Sequence, residues 1–210
     1  MINFNFISIS KLSLYGICET EFLKCLSGNL PITKKMLMGR EKHRELLKTK
    51  ENLSTQEIIE RIKLGKKFRL HEFKLIDEKF KLIGKIDCLS FLGNLKGSEK
   101  NLVLLIDYKY SSANSLPLSW KIQLGAYEFI LKNSFLSDFC EIEKGRIICL
   151  DEKNKIRKIF DVDKKKLEVW AEKIPFIIQE AFSINKRNAL HRRFDIEKNS
   201  WIKCLCKNIK

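Results

Sequence analysis

Asp107-Tyr108-Lys109 closes a short apolar run, Leu102 to Ile106. On an extended strand side chains alternate, so Asp107 and Lys109 project from one side and Ile106 and Tyr108 from the other. A carboxylate and an ammonium then share one face. A second acid, Asp87, lies twenty residues upstream (107 minus 87) in Leu82-Ile83-Gly84-Lys85-Ile86-Asp87-Cys88, which also reads as a strand. If the two strands pair, the acids meet. Carboxylates held a few Å apart repel unless a cation sits between them, and Mg²⁺ or Mn²⁺ prefers such hard oxygen ligands. That combination suits metal-assisted hydrolysis of a phosphodiester.

Several elements must position these groups. Ser8 or Ser10 caps a first helix that carries Leu12, Tyr15, Cys18, Phe22 and Cys25 on one stripe and ends at Ser27-Gly28. A second helix is expected over about Thr33 to Lys48, with Gly39 and His43 one turn apart. Ser54-Thr55-Gln56-Glu57 has the form of a capping box and opens a third helix, which ends near Gly65. Three strands follow, Phe68 to Ile76, Phe80 to Phe91 and Leu102 to Tyr110, joined by an Asp77-Glu78 turn and a Gly93-to-Asn101 loop. Pro117 starts a helix carrying Trp120, Gln123, Tyr127 and Ile130. Gly145 to Leu150 and Lys155 to Val162 form two more strands, and one amphipathic helix spans about Lys164 to Phe182.

This order predicts an α/β fold, a central mixed sheet flanked by helices. No repeat or low-complexity linker divides the 210 residues, so one domain is expected. Within it residues 1–65 form a helical N-terminal part, 66–162 the sheet and motif helix, and 163–210 a helix and cysteine-bearing tail.

Lys and Arg outnumber Asp and Glu by 41 to 26, for a net charge of +15 and a pI near 9.5. Such an excess favours a polyanionic partner, most simply nucleic acid. The segment Met1 to Ile7 lacks the form of a signal peptide, and no window approaches a membrane-spanning length, so a cytoplasmic protein without a membrane partner is expected. Seven cysteines, an odd number, argue for reduced thiols or a metal group rather than a secreted disulfide framework.

Taken in order, these fragments resemble the PD-(D/E)XK nucleases, and within them the RecB-like branch that includes the CRISPR-associated exonucleases. The resemblance rests on Gly39-x-x-x-His43, on Gly84-Lys85-Ile86-Asp87, on Asp107-Tyr108-Lys109 at the D/E-x-K position, and on Gln123-Leu124-Gly125-Ala126-Tyr127. It covers about residues 8 to 130, and Ile86 stands where the family's nominal proline would be. It implies a restriction-endonuclease-like core, with N-terminal helices and a C-terminal tail packed together, and a Mg²⁺- or Mn²⁺-dependent DNA exonuclease acting on single-stranded ends, in CRISPR spacer acquisition and alongside CRISPR integrase proteins. It implies that His43, Asp87, Asp107 and the Tyr108 carbonyl ligate the metal. Lys109 then orients the hydroxide, and Gln123 and Tyr127 position Lys109 or a DNA phosphate. Glu72 matches a recurrent outer glutamate. The alternatives are a stand-alone repair or mobile-element nuclease of the same fold, and a catalytically silent nucleic-acid-binding subunit.

The resemblance also implies a [4Fe-4S] cluster joining the two ends of the chain, here from Cys18, Cys25, Cys204 and Cys206, with reduced core thiols or a Zn²⁺ site as the alternatives. Cys88, Cys140 and Cys149 lie in apolar segments and read as small hydrophobes. Arg192 and Arg193, which follow His191, are candidate DNA contacts, with Trp120 and Trp201 as candidate stacking surfaces.

Overall fold

The computed structural model describes residues 5–28, 41, 53–94, 100–184 and 189–204. Its centre is a mixed sheet flanked by helices, as the sequence predicts. Strands β1 (Ile7–Ser8), β2 (Phe68–Asp77), β3 (Leu82–Asn94), β4 (Asn101–Tyr110), β5 (Cys140–Leu150) and β6 (Ile156–Asp163) build it. β2, β3 and β4 form an antiparallel meander, β4 and β5 run parallel, and β6 returns antiparallel along β5. A parallel β4–β5 pair needs a crossover, which Leu118–Lys132 supplies.

One feature of this topology makes room for chemistry. β2 pairs with β3 from Asp77↔Leu82 to Phe68↔Phe91, so it occupies one edge of β3 along nearly its whole length. The other edge is divided: β4 pairs with it from Cys88 onward, and β1 pairs in parallel at Leu82 and Ile83. Between Gly84 and Asp87 the two neighbours part. The fork leaves a notch in the sheet beside Asp87.

Helices α1 (Ile9–Leu12), α2 (Glu19–Leu26) and α3 (Thr55–Lys63) precede the meander. Ser8 accepts a hydrogen bond from the Lys11 N–H and caps α1, and Ser54 and Glu57 form both halves of the expected capping box on α3. The expected single first helix is broken, because Ser13–Gly16 tightens to a 3-10 turn and Cys18 is extended. Packing explains the break: a Cβ on Gly16 would lie 2.4 Å from the Ser119 backbone nitrogen, so only glycine lets this turn touch the crossover helix. The expected helix over Thr33 to Lys48, with Gly39 and His43, lies outside the described residues.

The crossover helix, α4 (Leu118–Lys132), begins after Pro117 and is the most deeply buried helix of those described. Ile122, Leu124, Ala126 and Ile130 are all fully covered, and each large side chain so removed from water stabilises the fold by roughly 2 kcal/mol. At Gly125 the helix meets its neighbour so closely that a Cβ would stand 2.8 Å from that of Trp170. The neighbour is α5 (Lys164–Ala171), and α6 (Ile174–Ser183) follows. The sequence led us to expect one helix here. Pro175 lies in the first turn of α6 and has no N–H to continue the α5 ladder, so the chain bends and restarts. The tail then forms a hairpin not foreseen from the sequence, β7 (Arg192–Asp195) with β8 (Ser200–Lys203). No helix among the described residues is long and apolar enough to cross a membrane.

Candidate active site

Asp107 and Lys109 do share a face at the C-terminal end of β4, with Lys109 Nζ 2.7 Å from Asp107 Oδ2. Opposite them, the Cys88↔Ile106 pair continues one step to bring Asp87 against Asp107. There the ladder has opened. The Tyr108 N–H donates instead to Asp87 Oδ2 at 2.9 Å, which fixes that carboxylate at the mouth of the notch. A residue in a strand sends its N–H and C=O to the same edge, so the Tyr108 carbonyl faces the notch as well.

The α4 helix closes the site from above. Gln123 and Tyr127 lie one turn apart and take part in a continuous hydrogen-bonded chain. Lys109 Nζ donates to Gln123 Oε1 at 2.9 Å, and Gln123 Nε2 donates to Asp107 Oδ1 at 3.1 Å and to the Tyr127 hydroxyl at 3.0 Å. The Tyr127 hydroxyl donates in turn to the Lys85 carbonyl at 2.9 Å, a backbone group within the notch. The chain has one consistent polarity: the glutamine oxygen faces the cation, and its nitrogen faces the carboxylate and the phenol. A glutamate at 123 could not donate to Asp107, and an asparagine would be shorter.

Charge is poorly accommodated at Asp107. The residue is 1% exposed, and its Oδ2 is ion-paired with the Lys109 ammonium at 2.7 Å. Burial pushes its carboxyl up to about 7; Lys109 opposes the rise, and Asp87 adds to it by charge and by a hydrogen bond. Burial also drives the Tyr127 hydroxyl well above its ordinary value, with Asp107 and Asp87 adding to the rise, so the phenol stays a neutral donor. A buried carboxylate beside a second carboxylate and a main-chain carbonyl is a hard-oxygen donor set that suits a divalent cation.

Glu72 lies directly across β2–β3 from Asp87, between the His71↔Cys88 and Phe73↔Ile86 pairs. Its φ is 51°, a left-handed backbone that costs a non-glycine residue about 1–2 kcal/mol, and its carboxylate takes a 2.8 Å contact from Lys85 Nζ. Strain held beside an acidic cluster is a common mark of a functional site. His43 lies outside the described residues.

The remaining candidates separate. Arg192 is engaged within the protein: its guanidinium binds the fully buried Glu19 at 2.6 Å and Glu180 at 3.2 Å, and lies 3.8 Å over the Trp201 ring. Trp201, half-buried, packs against Tyr15 and Phe194 as well. Trp120 is half-buried with its ring edge toward Phe160, and Arg193 is half-buried on β7. Glu19 was missed because a lone glutamate in a helix carries no sign of a buried pair 173 residues away.

Of the expected cluster ligands, Cys18 and Cys204 converge, and the third member of the group is His191. Cys25 is not part of it: seven residues along a helix from Cys18 correspond to about 10 Å of axial rise. Cys206 lies outside the described residues. His191 was not read as a ligand in the sequence because its place near Cys204 depends on the β7–β8 hairpin.

No protein-family model and no curated protein matches this sequence. Among solved structures, the chain is similar to SSO0001, with 14% identity, a TM-score of 0.49, and coverage of 87% of this chain and 77% of that one. It is also similar to the "Putative exonuclease" of Eubacterium rectale, with 13% identity, a TM-score of 0.47, and coverage of 96% and 86%. Similarities this distant carry no argument about activity.

Proposed function

We propose that this protein is a metal-dependent nuclease that hydrolyses DNA phosphodiester bonds at the notch beside Asp87 and Asp107. The observation that carries the reading is the fully buried Asp107 carboxylate held against Asp87, with Lys109 and Gln123 fixed around it. Asp87, Asp107 and the Tyr108 carbonyl would hold Mg²⁺ or Mn²⁺, with His43 completing the set that the resemblance implies. When bound, the cation would lower the pKa of a water and offset charge on the scissile phosphate.

The chain's own groups have separable tasks. Lys109, oriented by Gln123, presents an ammonium where negative charge develops on the phosphate oxygens. Gln123 is a positioning residue that restrains Lys109 and Asp107 together, and Tyr127 anchors it to the β3 backbone. The net charge of +15 draws the polyanion to the site. Action as an exonuclease on single-stranded ends, in CRISPR spacer acquisition with integrase partners, is the finer reading, and the sequence resemblance supports it. A silent binding subunit is disfavoured because burying one carboxylate against a second has an energetic cost that a bound cation would offset.

Asp87→Ala and Lys109→Ala are expected to abolish Mn²⁺-dependent cleavage of a labelled single-stranded oligonucleotide while DNA affinity at fixed salt stays within a few-fold. Undiminished cleavage by both variants would overturn the assignment.

A further inference from the structure

We propose that Cys18, His191 and Cys204 bind a single divalent ion of the zinc class, which fastens the start of α2 to the C-terminal hairpin. This is a site separate from the Asp87/Asp107 notch. Each residue offers one ligand atom, and the three atoms lie within 4.8 Å of one another. Around a tetrahedral ion with Zn–S near 2.3 Å and Zn–N near 2.0 Å, ligand atoms stand about 3.5–3.8 Å apart, so closure needs movements of about an ångström. A four-iron cluster makes a different demand. Its protein ligands bind different irons and stand farther apart, and its usual donors are four thiolates. Two sulfurs, one imidazole nitrogen and a tight triangle fit one ion.

The scaffold that holds the triangle exists without any metal. Each ligand adjoins a residue of the buried Arg192 network. Cys18 precedes Glu19, which is 0% exposed and bound by Arg192 at 2.6 Å. His191 precedes Arg192, and Cys204 follows Lys203, the cross-strand partner of Arg192. Two further bonds fix the corners: Thr20 Oγ1 donates to the Leu190 carbonyl at 3.3 Å, and the Cys204 N–H donates to the His191 carbonyl at 3.4 Å. Cys18 sits at the N-cap of α2 with no side-chain capping bond, so its sulfur is not engaged in capping. Cys18 and Cys204 are buried and His191 is exposed, which gives a dry site with one side open to solvent. The fourth position falls to water.

Loading has a redox condition. Cys204 is disulfide-bonded, so a dithiol must first reduce that bond, passing two electrons and two protons to the sulfurs and closing to its own cyclic disulfide. The Cys18 and Cys204 thiols then release their protons to solvent as the ion binds.

The test is Co²⁺ and Zn²⁺ titration of the full chain, reduced under anaerobic conditions and freed of metal. Thiolate-to-Co²⁺ charge-transfer bands and tetrahedral ligand-field bands are expected, displaced by one equivalent of Zn²⁺. A site without thiolates gives no thiolate bands, so the notch cannot mimic the signal. His191→Ala, at an exposed position that folding tolerates, is expected to weaken Zn²⁺ binding at least about tenfold, whereas Cys25→Ser leaves it unchanged. Three results would each overturn the proposal: no thiolate bands in the reduced protein, loss of binding in Cys25→Ser with His191→Ala unaffected, or native protein that carries four irons with acid-labile sulfide.

Discussion

Asp107→Asn removes a charge that folding must otherwise bury, and its effect on stability changes with pH in a direction the structure fixes. In the metal-free protein, burial above all, together with the Asp87 charge, raises the Asp107 carboxyl from 3.8 to about 7. The native state therefore keeps this proton to higher pH than the unfolded chain does. The resulting penalty is absent below the unfolded value of 3.8, grows as pH rises, and is complete above about 7. At about 1.4 kcal/mol per pKa unit, the full displacement corresponds to about 4 kcal/mol. Asparagine keeps the shape but forfeits the attraction to Lys109, so a net gain of about 2 kcal/mol over the wild type is expected at about pH 8, shrinking or reversing near pH 5. Urea unfolding in a chelator, followed by circular dichroism at both pH values, measures this difference directly. Adding Mn²⁺ should then stabilise the wild type and not the variant. A variant less stable than the wild type at the higher pH, or a difference independent of pH, would refute the account of Asp107 as a buried charge awaiting a cation.

Two further substitutions probe the surroundings. Tyr127→Phe leaves the Lys85 carbonyl and one Gln123 N–H without their partner in a buried site, which is expected to cost about 1–3 kcal/mol in denaturant and to lower kcat more than it raises KM. Arg192→Ala strands the buried Glu19 carboxylate and is expected to cost about 3 kcal/mol or more in the same unfolding assay, while filter-binding affinity of the folded protein for single-stranded DNA stays within twofold.

The strands and the motif helix were legible in the sequence because their signals are local. Alternation over Phe68 to Tyr110, the Ser54 capping box and Pro117 each dictate their element within a few residues. The two helices read as unbroken were misjudged for different reasons. Pro175 was a local signal that the amphipathic pattern overrode, whereas Gly16 gives way only because the crossover helix presses against it.

The sequence by itself determined that Asp107 and Lys109 share a strand face and that Gln123 and Tyr127 share a helix face, since both facts follow from backbone periodicity. Only the tertiary structure decided that the two faces meet, that β1 and β4 divide one edge of β3 to open the notch, and that Asp107 is buried there. Likewise, only the hairpin brought His191 beside Cys204 and left Cys25 apart. Periodicity is a property of adjacent residues; convergence depends on which distant surfaces exclude water together.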